Sequence, residues 1–141
     1  MTQKKYVLKI DKDEKLDMIL IGICSGMKAY RLCYYLNEKL ELNFERQEDY
    51  ELILGRNNSS AGFVRYLYLS DDEQAFNLFS NRSNEQYLIP ELKNIDYLLT
   101  ISPASYVDVP FFMDHIKKIE MVQSVFDIDI SKLKSRFNLQ I

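Results

Sequence analysis

Residues 88–101 read LIPELKNIDYLLTI, and the parsing of this stretch decides the fold. Ile95, Tyr97, Leu99 and Ile101 alternate with Asp96, Leu98 and Thr100. That period of two, in β-favouring residues, predicts a strand over Ile95–Ile101. Leu98 adds an apolar side chain on the second face, so the strand is expected in the middle of its sheet. Pro90 has no N–H for a ladder and is assigned to a bulge, an edge or a strand start. Glu91 and Asp96 fall just before and just inside a buried strand, where an ionised carboxylate needs a partner. Backbone N–H groups or an arginine are the expected partners. A paired-carboxylate catalytic site is the sharper alternative. The odd offset places the two acids on opposite faces of an unbroken strand, so only a bulge near Pro90 would bring them together.

Three stretches together resemble a known family. Ile89-Pro90-Glu91, a three-residue spacer and Ile95-Asp96-Tyr97 match the signature of the bacterial IPExxxVDY family, with Ile in place of Val at position 95. Tyr30-Arg31-Leu32 followed by Leu36-Asn37 is similar to that family too, as is Asp129 to Leu139 around Leu133-Lys134-Ser135. The resemblance implies a small, soluble, single-domain bacterial protein of uncharacterised function. It brings no established catalytic residue with it.

Upstream of the signature, Phe63–Leu69 and Gln74–Ser80 read as strands joined by Ser70 to Glu73. Tyr66, Tyr68 and Val64 share one face; Phe63, Arg65, Leu67 and Leu69 share the other. Two mostly apolar faces call for a layer on both sides, or for a second chain. Gly55–Gly62 (GRNNSSAG) is a polar loop that lacks the ending of a phosphate loop. Glu41–Leu54 predicts a hairpin turning at Gln47–Asp49. Before it, Met27–Leu40 carries Ala29, Leu32, Cys33, Leu36 and Leu40 at helical spacing, with Ser25 as its N-cap. Met18–Cys24 is a short apolar run suited to a covered strand. Lys5–Ile10 reads as a first strand, followed by a charged turn at Asp11–Lys15.

Downstream, Ser102–Val107 is a loop. Asp108 is an N-cap with Pro110 in the first turn of a second amphipathic helix, whose stripe is Val109, Phe112, Met113, Ile116 and Ile119. Met121–Ile128 is a last strand, Ser131–Arg136 a short helical turn, and Phe137–Ile141 an apolar tail that packs on something. The sum is one α+β domain over residues 1–141: about eight strands in a mostly antiparallel twisted sheet, with both helices on one face. Strand–helix–strand units at both ends point to a ferredoxin-like sandwich with added strands.

Composition narrows the function classes. A chain of 141 residues can bury enough surface to fold without a disulfide or metal. Net charge is -3, which weighs against duplex nucleic acid and anionic membranes. Cys24 and Cys33 read as buried thiols of a reducing compartment. No stretch suggests a signal peptide or a membrane span, so a cytoplasmic location is expected. His115 is the single histidine, and neither a zinc set nor a nucleophile elbow can be assembled. With four glycines there is no dinucleotide fingerprint, and no cofactor is expected.

Arg31 sits on the first helix near three aromatics and is the expected partner of Glu91 or Asp96, locking helix to sheet. Tyr30 flanks the core face of that helix. The favoured reading is a non-enzymatic interaction module, a homodimer joined through a sheet face or through Phe63–Leu69. One alternative is a single-stranded RNA binder stacking bases on Tyr66, Tyr68 and Phe63, which the acidic total opposes. The other is a small-molecule-binding domain or enzyme with its pocket near Arg31 and Glu91.

Overall fold

A computed structural model describes residues 16–54 and 59–140. The strand read at Lys5–Ile10 and the turn at Asp11–Lys15 lie outside the described residues. In chain order the elements are β1 (Ile19–Ser25), α1 (Ala29–Leu40), β2 (Glu45–Arg46), β3 (Tyr50–Leu54), β4 (Ser59–Phe63), β5 (Arg65–Leu69), β6 (Ala75–Ser80), β7 (Arg82–Ser83), β8 (Gln86–Tyr87), β9 (Tyr97–Ser102), α2 (Val109–Lys117) and β10 (Val122–Ile128). Three 3-10 turns, at Pro90–Leu92, Ile130–Lys132 and Arg136–Leu139, complete the described residues.

Six strands form one antiparallel sheet in the order β10-β1-β9-β6-β5-β2. The alternation that defines β9 thus places it in the interior of the sheet, hydrogen-bonded to β1 and β6. The class is α+β, as the element pattern predicted. Taken alone, β1-α1-β6-β9-α2-β10 is a β-α-β-β-α-β unit with the order β10-β1-β9-β6, the ferredoxin-like arrangement. β5 and β2 are the added strands.

Alternating side chains feed two cores. Tyr97, Leu99 and Ile101 join Ile21, Ile23, Phe76 and Leu78 beneath both helices, which contribute Leu32, Leu36 and Ile116. Leu98, Leu20 and Phe79 point the other way. There they meet Ala61 and Phe63 of β4, Leu88 and Ile89 of the signature, and Ile130, Leu133 and Leu139 of the C-terminal turns. Gly22 of β1 leaves room for this layer, since a Cβ there would lie 2.7 Å from Ile128 and 3.1 Å from Ile95.

Several boundaries differ from the sequence reading. The hairpin expected over Glu41–Leu54 does not form: β2 pairs with β5, and β3 pairs with β4. β4 occupies the second half of the stretch read as the Gly55–Gly62 loop. Its sequence, SSAGF, has only Ala61 and Phe63 on the buried side, too little apolar signal to read as a strand. The strand read as Phe63–Leu69 breaks at Val64, where the chain passes from one sheet to the other. Pro90 opens a 3-10 turn, not a strand or bulge, because its fixed φ suits a first helical position. The first helix starts at Ala29, and Ser25 is the last residue of β1. The Ser25 hydroxyl accepts from Met27 N–H at 3.2 Å and donates to the Met121 carbonyl at 2.8 Å. Asp108 does cap α2, accepting from Phe111 N–H at 3.1 Å.

Candidate functional site

Glu91 projects from its 3-10 turn toward the C-terminal segment. Its carboxylate accepts from the Ser135 amide at 2.8 Å and from the Ser135 hydroxyl at 2.7 Å. Burial raises the Glu91 carboxyl, but the two Ser135 bonds outweigh it and hold the group below the ordinary carboxylate range. Asp96 accepts from the Ser25 amide at 2.8 Å, fixing the end of β1. The Tyr97 hydroxyl donates to the Met27 carbonyl and so ties β9 to the entry of α1.

Asn81 organises the loop between these groups. It is fully buried, and its side chain bonds backbone on both sides. Its Nδ2 donates to Leu92 O at 2.8 Å and Ile95 O at 3.0 Å, while its Oδ1 accepts from Ile89 N–H at 2.8 Å. Asn138 adds a bond from Nδ2 to Leu88 O at 2.8 Å. On α1, Asn37 plays a similar part: it accepts from Phe44 N–H at 2.8 Å and donates to Phe44 O at 3.3 Å. Polar groups in all three family-like stretches are therefore engaged in closing backbone. Two carboxylates directed at different partners, Ser135 and Ser25, do not make an acid/base pair.

Arg31 joins neither acid. It is exposed on α1, and no ion pair links it to Glu91 or Asp96. This corrects the expected helix-to-sheet lock: Glu91 and Asp96 find N–H and O–H donors instead. Among the described residues the ion pairs are Arg46–Asp49 at 2.7 Å and Lys118–Asp114 at 3.2 Å. Arg31 does line a shallow cleft with Tyr35, Lys39 and Lys118, but Glu91 is not part of it. Tyr30 is 60% exposed on the same helix. Tyr66 and Tyr68 are half-buried against the helix-side core, Tyr68 with its ring 5.5 Å from Phe76 and 6.3 Å from Phe44. Phe63 is buried in the opposite core, so the three rings do not form one stacking platform.

Both cysteines are free. Burial pushes the Cys33 thiol up to about 11. The Cys24 thiol is also raised, by burial first and by the Asp96 charge second. His115 bonds the Phe111 carbonyl of its own helix at 2.9 Å and stacks on the Phe111 ring. Among the described residues no three His, Cys, Asp or Glu side chains cluster as a metal site would need, and no helix is long and apolar enough to cross a membrane.

A surface feature that the sequence reading did not single out is β10. It has seven residues, VQSVFDI, at one end of the sheet order. Its inner edge pairs with β1; among the described residues no strand pairs with its outer edge. Phe126 is 47% exposed there, and Met121 just before it is 49% exposed. The opposite edge, β2, is two charged residues long. No family model matches this chain, and neither a curated protein nor a solved structure does.

Proposed function

We propose that this protein is a non-enzymatic interaction module that acts as a homodimer, two copies pairing through the outer edge of β10. The carrying observation is the edge itself: seven residues, an exposed Phe126, one charge at Asp127, and neither lysine nor proline. Edges left in that state template pairing with another strand, and natural monomers blunt them. The sequence is also compatible with its own copy. β10 bulges at Gln123. Antiparallel pairing about a two-fold axis at Val125 sets Phe126 opposite Ser124 of the copy and leaves Asp127 near the bulged Gln123, so no like charges meet.

The bonds at Glu91, Asp96 and Tyr97 support the non-enzymatic part of this reading, because each polar group of the signature already has an intrachain partner. The likeness to the IPExxxVDY family belongs to the same proposal, supported by the junction of two of its stretches at Glu91 and Ser135. A cytoplasmic setting goes with it, supported by two unpaired cysteines.

Sedimentation at micromolar concentration should give a dimer for the full chain. Gln123→Asp sets an acid against Asp127 of the copy twice over and should shift the protein to monomer without lowering its melting temperature. A strict monomer for the unaltered chain would remove the proposal.

A further inference from the structure

The second face of the sheet is left open at one corner. Beside the C-terminal turn, a cavity of about 290 Å³ opens above β5, β6 and β9. That is close to the lower limit of ligand pockets, about 300 Å³. Its floor follows the strand register. Leu67, Asn77 and Thr100 lie side by side in one row, and Leu69, Ala75 and Ser102 in the next. Met18 and Leu139 stand as apolar walls. Among the described residues no acidic side chain lines it, and Arg65 is the one charged group there.

The polar groups of this cavity are under-used. Arg65 donates from Nε to Asn77 Oδ1 at 2.9 Å, which fixes the guanidinium. Among the described residues its two terminal amino groups have no acceptor, and neither Asn77 Nδ2 nor the Thr100 hydroxyl makes a hydrogen bond. Yet Asn77 is 5% exposed and Thr100 2%. Every fully enclosed side-chain nitrogen or oxygen among the described residues has a partner, so these two atoms face the cavity. Donors that face a cavity in this way are available to an acceptor placed inside it.

We propose that this cavity binds a small organic carboxylate with a short apolar body. With Nε occupied, the guanidinium presents its two terminal amino groups end-on, the fork that a carboxylate matches with both oxygens. Asn77 Nδ2 and the Thr100 hydroxyl supply further donors beside it. The leucine, methionine and alanine walls take the hydrocarbon. One cation balances one negative charge, which favours a carboxylate over a phosphate dianion here.

The site is tested by titrating the full-length, isotope-labelled protein with hexanoate and, separately, with hexanamide, its uncharged counterpart. Hexanoate should give saturable shifts of the Asn77 and Thr100 amides and of the Arg65 Nε–H, with hexanamide weaker by about tenfold or more. Arg65→Lys keeps the charge, loses the fork and should weaken hexanoate by about tenfold. Thr100→Val, which retains side-chain shape, should weaken it severalfold and serves if Arg65→Lys does not fold. Equal shifts with hexanamide, shifts that never saturate, or unchanged affinity in the variants would each overturn the assignment.

Discussion

Asn81 behaves as a piece of backbone. One buried amide closes three main-chain groups around the signature turn, and its own N–H donates to Asp96 O at 2.9 Å. Asn81→Ala strips partners from two carbonyls and one N–H in the interior. At about 1–3 kcal/mol for each unsatisfied group, with partial relaxation, we expect a loss of about 3–5 kcal/mol in urea unfolding. A loss under about 1 kcal/mol would mean water replaces the side chain freely, and the turn is not held as described. Glu91 makes a smaller, pH-dependent claim. Its folded carboxyl lies below its ordinary value, so its contribution is present above that value and fades as pH falls through the folded one. Glu91 is exposed, so Glu91→Gln should cost only about 0.5–1 kcal/mol near neutrality. The gap between the two proteins should narrow as pH falls below the ordinary carboxylate range and through the folded titration of Glu91. A gap that stays constant with pH would show that the Ser135 bonds do not depend on the charge.

At the scale of elements, α2 shows what local chemistry can specify. Asp108 and Pro110 act within one turn of the helix they start, so the start is readable without knowing the fold. Asp108→Ala should lower stability by about 1 kcal/mol and fray the first turn, seen as faster amide exchange at Phe111 and Phe112. An unchanged exchange rate at those amides would show that Pro110 and packing suffice. β9 was legible for the same reason: its alternation spans the strand. β4 was not, because Ser59 to Phe63 becomes a strand only through Tyr50 opposite Phe63 and Leu52 opposite Ala61, pairings no local pattern contains. The site shows the same divide. That Glu91 and Asp96 need partners follows from burial of the strand beside them. That those partners are Ser135, 44 residues away, and Ser25, 71 residues away, follows only from the fold. Arg31 was a misplaced choice because it lies on the exposed side of its helix with Lys39, beside the half-buried Tyr35. The setting of Arg65 depends on Asn77 and Thr100 lining up across strands, which no local pattern contains.

At the scale of the molecule, the two-sided apolar sheet was the reason to expect a second chain over one face. The chain covers most of that face itself. The β3–β4 hairpin, the signature turn and the C-terminal 3-10 turns close over Leu20, Phe79 and Leu98, so the interface proposed for a second copy moves from the face to the β10 edge. The last turns therefore act in two ways, stabilising the domain and keeping a sticky face hidden. Glu91 clamps them at Ser135, the Tyr50 hydroxyl donates to Asn138 O at 2.7 Å, and Leu139 is fully buried. Leu139→Ala should therefore cost about 2–4 kcal/mol, as a buried leucine truncated in a packed core does. Ending the chain after Lys132 removes Leu133 and Leu139 together and leaves Leu98 and Phe79 open to water. That truncated protein should bind a hydrophobic dye and associate beyond the dimer as concentration rises, even when Gln123→Asp is also present. The added variant separates the two surfaces: association through the β10 edge is blocked, so any that remains comes from the uncovered face. A truncated protein that keeps the melting temperature and the association state of the full chain would mean that the C-terminal turns are not what covers the second core.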